Sequence, residues 1–353
     1  MRRSVKLAAV VLSGSLGIAS LAACGAKSTS SSTTAGASGA SGLKVGMAYD
    51  IGGRGDQSFN DSAARGLDKA KSQLGVQVSE AEAKQGESDS DKETRLSSLV
   101  TAGFNPIIAV GFVYQPAVEK VAKANPNVKF AIIDSASSTQ PTNVTSLTFS
   151  EQEGSYLAGV AAALKTKTKE VGFIGGVQTD LIKKFEAGYR AGVANVDPSI
   201  KVDVKYLTTP PDFSGFGDPA KGKEAAQGLL EKKDDVIYTA AGSSGTGAIE
   251  AIAGAGAWAI GVDSDQAAQP ALDKYKTHIL TSMVKNVDNA VFTYINSIKS
   301  GSPLTGVKNF DLKQNGVSLA TTGGYIDDIK SKLDDATSKI TSGATTIPTA
   351  PTS

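Results

Sequence analysis

The sequence predicts an α/β protein whose parallel sheets are covered by helices on both faces. Apolar runs rich in Val and Ile alternate with segments of helical period along most of the chain, and these runs are apolar on both faces. Several of the runs are followed directly by an aspartate or by glycines. A single open sheet of ten strands would be unusually wide, so the alternation favours two lobes of five or six strands each.

The boundaries of the elements follow from the same periodicity. Strands are predicted at residues 43–49, 76–81, 106–110, 129–133, 144–149, 171–174, 202–207, 236–239, 258–262 and 279–283. Helices are predicted at residues 61–74, 91–102, 116–124, 151–164, 183–195, 220–231, 247–255 and 287–300.

The first residues have the pattern of a signal peptide, predicted at 1–23. Arg2, Arg3 and Lys6 precede an apolar, serine-broken run that is shorter than the roughly 20 residues a membrane span needs. The run ends in "LAAC", which resembles the lipobox of bacterial lipoproteins. That resemblance implies cleavage before Cys24 and lipidation of its thiol, whereas a buried thiol is the alternative interpretation.

Two segments have compositions that cannot form a core. Residues 24–42 begin with the cysteine and continue almost entirely in Ser, Thr, Ala and Gly, which predicts a flexible tether. Residues 341–353 are similar in composition and are predicted to be a disordered tail. Roughly 300 residues remain between them, enough for two lobes with substantial cores.

Charge and composition exclude several classes of function. The chain has 36 basic and 35 acidic residues, and removal of residues 1–23 leaves 33 basic residues, so no nucleic-acid surface is predicted. With one cysteine and one histidine, Cys/His metal sites are excluded. His278 has no G-x-S-x-G turn to serve as a catalytic base and is interpreted as structural or surface-exposed. No cofactor is predicted.

Acids and glycines follow the predicted strands at the ends where parallel α/β sheets bind ligands. These residues are Asp50, Gly111-Phe112, Asp134, Gly175-Gly176, the turn 242–245 and Asp263. Individually, an aspartate can be a helix cap and a glycine a turn residue. The glycine-rich turn lacks the spacing of a phosphate-binding loop, so a close backbone approach is favoured there. Together the set favours a polar crevice for a neutral ligand.

The first of these strands leads into the stretch "DIGGRGDQSFND" (residues 50–61), and seven further stretches form a pattern with it. They are "KFAIID" (129–134), "FSEQEGSYLAGVAAAL" (149–164), "VGFIGG" (171–176), "FEAGYRAGV" (185–193), "DPAKGKEAA" (218–226), "GVDSDQ" (261–266) and "TSMVKNVDNAV" (281–291). In this order they resemble the basic membrane protein (BMP) family of lipoproteins, the purine-nucleoside-receptor type of ABC-transporter substrate-binding protein. The resemblance covers residues 43 to about 325.

The resemblance implies a type I periplasmic-binding-protein fold, in which two Rossmann-like lobes are joined by a three-segment hinge and close on a ligand. Lobe one would comprise residues 43–147 and 284–309, and lobe two residues 148–283 and 310–330. The chain would cross between the lobes near 145–149, near 282–286 and near Phe310.

It also implies how the ligand would be held. Asp50 and Asp134 match ligand-facing positions, and Phe59 matches an aromatic that stacks on a base. Its counterpart from lobe two is Phe216 or Phe213, of which the resemblance favours Phe216. Here the chain departs from the family pattern, because "TTPPDFSG" is longer and richer in proline.

Asp263 and Lys285 match the family's ribose-binding acid and lysine. A carboxylate can accept hydrogen bonds from two hydroxyls, and a lysine can donate to them. The alternatives are a helix cap for the acid and a hinge ion pair for the lysine, and for Phe59 a place in the core. Asn60 is expected to add a polar contact to the base, and Gly242 and Phe112 to line the cleft.

The implied function is that of a monomeric receptor, lipid-anchored on the extracytoplasmic face of the cell membrane, which delivers a nucleoside to an ABC permease. A sugar-binding or nucleoside-sensing surface lipoprotein without a transport role is the alternative. A Rossmann-type enzyme is disfavoured, because neither a nucleotide motif nor an acid–base pair is present in the sequence.

Overall fold

The computed structural model describes residues 42–351. The predicted signal peptide, Cys24 and the tether as far as residue 41 lie outside the described residues, as do residues 352–353 of the predicted tail. Within the described range, none of the helices combines the length and the apolar composition that crossing a bilayer requires.

The chain alternates strands and helices from its first strand onward. The strands are β1 (Lys44–Tyr49), β2 (Gln77–Glu82), β3 (Ile107–Ala109), β4 (Phe130–Ile133), β5 (Val144–Phe149), β6 (Glu170–Val177), β7 (Lys201–Thr208), β8 (Val236–Ala240), β9 (Trp258–Asp263), β10 (Ile279–Lys285), β11 (Gly306–Phe310) and β12 (Val317–Leu319). The helices are α1 (Phe59–Leu74), α2 (Asp89–Thr101), α3 (Gln115–Ala124), α4 (Glu151–Lys165), α5 (Asp180–Val196), α6 (Pro219–Glu231), α7 (Ser244–Gly254), α8 (Val287–Lys299) and α9 (Lys330–Thr341).

All ten predicted strands and all eight predicted helices are present, with ends within three residues of the prediction. The prediction lacked β11, β12 and α9. These late elements are short or carry few apolar residues, so their periodicity is weak.

The strands form two six-stranded sheets of the same topology. The first has the order β11-β5-β4-β3-β1-β2 and the second β12-β10-β9-β8-β6-β7. Neighbouring strands are parallel, except that β12 is antiparallel to β10. The strand order reverses between β1 and β3 and, equivalently, between β6 and β8, where open α/β sheets bind ligands. The α/β fold with two Rossmann-like lobes is therefore confirmed.

Both faces of each sheet are covered. In β1, Val45 and Met47 pack in the core under α1 and α8, whereas Ala48 packs on the opposite face under α2 and α3. In lobe two, α4 and α5 cover one face and α6 and α7 the other. Strands apolar on both faces require such double coverage.

Three segments connect the lobes. The chain leaves the first sheet after β5 at Phe149, leaves the second after β10 at Lys285, and crosses again between β11 and β12. The predicted boundaries at 147/148 and 283/284 therefore fall two residues inside β5 and β10. Lobe two also continues beyond residue 330, because α9 packs on α4.

Two expectations need correction. The segment from residue 341 is not disordered as far as it is described: Ile347 is buried in the core and the amide of Thr345 donates to the carbonyl of Lys339 at 3.0 Å. The side chain of Ile347 packs this stretch against the core, although the Ser/Thr/Ala/Pro composition predicted no such packing. Gly175-Gly176 lies inside β6 rather than in the turn after it, and the site explains why glycine is needed there.

Candidate ligand-binding site

A cavity lies between the lobes, at the carboxyl ends of the strands of both sheets. Every predicted ligand-binding residue lines it: Asp50, Phe59, Asn60 and Asp134 from lobe one, Phe216, Gly242 and Asp263 from lobe two, and Lys285 from the second crossover. Phe112, expected to line the cleft, does so as well. The cavity also has an apolar wall formed by Ile51, Leu181, Ile182, Phe185, Ala240 and Val262.

Lys285 lies at the centre of the charged part of the cavity. Its Nζ is 2.5 Å from Asp134 Oδ2, 3.9 Å from Asp263 Oδ1 and 4.0 Å from Glu151 Oε1. Burial opposes the charged ammonium, but the three acids outweigh it and raise the pKa of Lys285 above its ordinary value. The ammonium therefore joins Asp134 of lobe one to Asp263 and Glu151 of lobe two.

The acids outnumber this cation, and burial raises the pKa of four of them. Burial raises the pKa of Asp50 to about 7 and that of Asp56 to about 6. Burial likewise raises the pKa of Glu151 to about 7, against the attraction of Lys285. For Asp263, burial raises the pKa although Lys285 and Ser58 oppose it. Such a cavity disfavours anions and suits a neutral ligand that offers hydrogen-bond donors.

Asp134 and Asp263 occupy equivalent positions in the two sheets. One follows β4 and the other ends β9, and both have left-handed backbones, with φ of 63° and 62°. Aspartate tolerates this conformation better than most residues. Asp134 Oδ1 is buried and has no hydrogen-bond partner among the described residues. A buried carboxylate oxygen without a partner is costly, so this atom is suited to accept a hydrogen bond from a ligand.

The start of α1 is held by Asp56, which sequence reasoning missed. Its carboxylate accepts hydrogen bonds from the amides of Ser58 at 2.9 Å, Asn60 at 2.8 Å and Asp61 at 3.1 Å. It thus caps the helix that presents Phe59 at its first turn. An aspartate just before a helical run is the signal that could have identified this role.

Asn60 has its side-chain amide engaged within lobe one. Its Oδ1 accepts from the amide of Asp50 at 2.9 Å, and its Nδ2 donates to Asp56 Oδ2 at 3.0 Å. The side chain lines the cavity, but these bonds tie the end of β1 to the start of α1. It therefore positions Asp50 relative to Phe59.

The structure brings Phe216, and not Phe213, to the cavity. Phe216 packs against β6 at Gly176, where a Cβ atom would lie 2.5 Å from its ring. On the other side, Gly242 has a φ of 57° and a Cβ there would be 3.0 Å from the carbonyl oxygen of Phe216. Ser243 Oγ donates to the same carbonyl at 3.1 Å. The glycine-rich turn after β8 therefore allows close approach of the Phe216 backbone.

Phe185, on α5, is a second aromatic of lobe two that sequence reasoning missed. It is 2% exposed and lines the cavity, and Lys285 Nζ lies 5.6 Å from the centre of its ring. The same Nζ lies 4.6 Å from the centre of the Phe59 ring. The first residue of the stretch "FEAGYRAGV" was the available signal, since it lies in the second turn of the helix that follows β6.

A family model described as ABC transporter substrate-binding protein PnrA-like (Bmp) matches residues 43–350. The chain belongs to the Bmp family. Bmp proteins are substrate-binding proteins of ABC transporters and not enzymes. The predicted family is thereby confirmed.

Relatives and solved structures agree with the Bmp assignment. The chain is 35% identical to the ABC transporter nucleoside-binding protein BmpA of Lactococcus lactis, over 98% of this chain and 99% of that one. It is 31% identical to basic membrane protein A of Borreliella burgdorferi, over 84% and 85% of the two chains. An ABC-transporter solute-binding protein from Aeropyrum pernix has a similar structure, with a TM-score of 0.75, 28% identity and coverage of 87% and 93%.

Proposed function

We propose that this Bmp protein binds a purine nucleoside between its lobes and delivers it to an ABC permease. It would do so from the extracytoplasmic face of the cell membrane, as a monomer anchored through a lipid on Cys24. The single observation that carries the ligand assignment is the composition of the cavity, in which Phe59 and Phe216 from opposite lobes accompany a ring of carboxylates around Lys285.

The aromatic part of the cavity supports a flat ligand. A base that stacks on an aromatic side chain gains about 1–3 kcal/mol in nucleic-acid complexes. Phe59 is only partly buried although it begins a helix at the cavity wall, and Phe216 comes from the facing lobe. We expect the base to lie between these two rings.

The charged part supports a ribose. Within residues 42–351, Asp134 Oδ1 has no hydrogen-bond partner, and Asp263 and Lys285 line the same side of the cavity. Carboxylates accept from the vicinal hydroxyls of ribose, and the lysine donates to their lone pairs. The name of the Lactococcus lactis relative, a nucleoside-binding protein, agrees with this assignment.

A thermal-unfolding and calorimetric screen tests the ligand class. The panel contains adenosine, guanosine, inosine, uridine, the free bases, ribose, arabinose and AMP. Purine nucleosides at a hundred times their Kd should stabilise the protein by about 2.7 kcal/mol. AMP should bind far more weakly than adenosine, because the acids of the cavity repel its phosphate. Stabilisation by pentoses alone would instead establish the sugar-binding alternative, and a panel without any binder would refute a nucleoside receptor.

Delivery to a permease is tested in the source bacterium. Deletion of the gene should abolish uptake of the labelled nucleoside that the screen identifies, and the wild-type gene should restore it. A deletion strain that takes up the nucleoside normally but loses a transcriptional response to it would favour the sensing alternative. A matched control is uptake of an unrelated amino acid, which should not change.

A further inference from the structure

Two phenylalanines meet across the mouth of the cleft, at the edge of the cavity. Phe112 follows β3 in lobe one, and Phe213 lies in the loop after β7 in lobe two. Their ring centres are 5.9 Å apart with planes at 65°, an edge-to-face arrangement. Aromatic pairs favour this geometry because the positive ring edge meets the negative face. The pair is a direct contact between the lobes.

Phe112 forms the boundary between the cavity and an outer groove. Together with Ile51 it lines both spaces, whereas Phe213 lines only the groove. Phe213 therefore covers Phe112 from the solvent side. A ligand in the cavity has this pair between itself and the groove.

The loop that carries Phe213 is fixed to lobe two. Thr208 Oγ1 donates to the carbonyl of Asp212 at 2.6 Å, and Asp212 Oδ1 accepts from the amide of Ser214 at 2.9 Å. Gly215 packs so closely on β6 that a Cβ atom would be 2.0 Å from the carbonyl oxygen of Gly176. These contacts fix the position of Phe213 relative to lobe two. When the lobes are closed, its ring therefore meets Phe112.

The same loop carries two aromatic rings, Phe216 in the cavity and Phe213 nearer the solvent in the groove. A single 3-10 turn, Ser214–Phe216, separates Phe213 from Phe216, so one ring lies in the cavity and the other one turn earlier in the groove. The stretch "TTPPDFSG" (residues 208–215) supplies the outer ring.

We propose that Phe112 and Phe213 form an aromatic gate that sets how fast a bound ligand leaves the cleft. The proposal rests on the nucleoside-binding function described above. Ligand exit requires the lobes to separate, and separation breaks the ring contact. The gate therefore lowers the dissociation rate, and its contribution to binding depends on both rings being present.

The test is a double-mutant cycle read by dissociation kinetics. Phe112→Ala, Phe213→Ala and the double variant are loaded with tritiated adenosine or guanosine and chased with unlabelled nucleoside. An edge-to-face pair implies that Phe213→Ala speeds release by about two- to tenfold. In the Phe112→Ala background the same change should have little further effect, because its partner ring is already absent. Phe213→Leu should restore only part of the slow release.

A second measurement does not require a nucleoside. With Cys24→Ala, the chain has no native cysteine, and spin labels at the exposed positions Lys71→Cys on α1 and Gln227→Cys on α6 report the distance between the lobes. Phe213→Ala should shift the ligand-free population toward longer distances, and Phe213→Leu should shift it less.

The outcomes separate the two proposals. If wild type binds no nucleoside but Phe213→Ala opens the lobes, the gate stands and the ligand assignment fails. If wild type binds nucleosides, and Phe213→Ala changes neither the release rate nor the inter-lobe distance, the gate is refuted while the receptor function stands. Additive effects of the two substitutions on release would also refute a joint gate. Thermal unfolding of each variant establishes that it is folded.

Discussion

Ser58 Oγ, at the start of α1 in lobe one, donates a hydrogen bond of 2.7 Å to Asp263 Oδ2 in lobe two. Ser264 Oγ donates to the carbonyl of Ser58 at 2.7 Å, and Gln266 Nε2 donates to the carbonyl of Gln57 at 3.1 Å. The start of α1, where Phe59 lies, is thus joined directly to the end of β9, where Asp263 lies, and to the turn that follows. Closure of the lobes and placement of Asp263 depend on the same contacts.

Removing the hydroxyl should weaken ligand binding. In Ser58→Ala, Asp263 loses a donor that is available only when the lobes are closed. A hydrogen bond to a charged group contributes about 1.5–3 kcal/mol, so Kd should rise roughly tenfold or more. Calorimetric titration with the nucleoside from the screen measures the change. Ser72→Ala, an exposed serine on the same helix, is the matched control. An unchanged Kd in Ser58→Ala would show that the bond does not contribute to closure.

Asp263 and Phe59 should contact different parts of the ligand, the ribose and the base respectively. A deoxynucleoside lacks the 2′-hydroxyl and leaves a buried partner unpaired, at about 1–3 kcal/mol, so wild type should bind it roughly tenfold or more weakly. In Asp263→Ala this difference should shrink. In Phe59→Ala both ligands should lose affinity alike, because stacking ignores the sugar.

The measurement is calorimetric titration of adenosine and 2′-deoxyadenosine, or of the guanosine pair, against all three proteins. Persistence of the full ribose preference in Asp263→Ala would refute the role of that carboxylate. Purine affinity equal to wild type in Phe59→Ala would refute stacking.

The ligand-free protein should lose stability as the pH rises from about 5 to 8. Burial raises the pKa of Asp50 to about 7, whereas an unfolded aspartate has a pKa near 3.9. Between these values the folded state holds a proton that the unfolded state has released. The stabilisation is therefore fully present below about pH 4 and is lost as the pH rises through about 7.

Asp50→Asn should reduce the slope of the free energy of unfolding against pH, by up to about 1.4 kcal/mol per pH unit. Some slope should remain, because Glu151 has a pKa of about 7 and Asp56 one of about 6. Urea unfolding at pH 5, 6, 7 and 8 measures it, with the exposed Asp335→Asn on α9 as control. Parallel slopes for Asp50→Asn and wild type would contradict a raised pKa of this buried carboxyl.

Two glycines on different helices should respond in opposite directions to the same substitution. A Cβ at Gly188 on α5 would lie 2.1 Å from the carbonyl oxygen of Gln152 on α4, whereas one at Gly228 on α6 would meet nothing within 4 Å. Gly188→Ala should lower the free energy of unfolding by about 1–3 kcal/mol, because overpacking separates the helices. Gly228→Ala should raise it by about 0.5–1 kcal/mol through helix propensity. Urea unfolding compares the two. A neutral Gly188→Ala would mean that α4 and α5 can separate at no cost.

The anchor should be independent of the cleft. Cys24→Ala removes the thiol that the lipobox-like stretch marks for lipidation. The variant should move from the membrane fraction to the soluble extracytoplasmic fraction, while its nucleoside Kd should equal that of wild type. Fractionation with a high-salt wash, followed by immunoblotting, checks this. Retention of Cys24→Ala after the wash would show that attachment does not depend on the lipid.

The contrast between Phe216 and Phe213 shows where sequence reasoning reached its limit. Both lie in one proline-rich stretch, and no local pattern distinguishes a ring in the cavity from one in the outer groove. The difference arises from Gly176 on β6 and Gly242 after β8, which approach Phe216 from two other segments of the chain. Glu151 was missed for a similar reason: an acid at a helix start looks the same in sequence whether it faces solvent or a buried lysine.

The sequence by itself determined the order of the first ten strands and eight helices, the acids at the strand ends and the family, because periodicity and residue type act over a few neighbouring positions. Only the tertiary structure decided which of those residues meet. Ser58 and Asp263 are 205 positions apart, and Asp134 and Lys285 are 151 apart. Their contacts form when two separately built sheets close on each other, so they depend on the angle and distance between the lobes, to which local sequence patterns are insensitive.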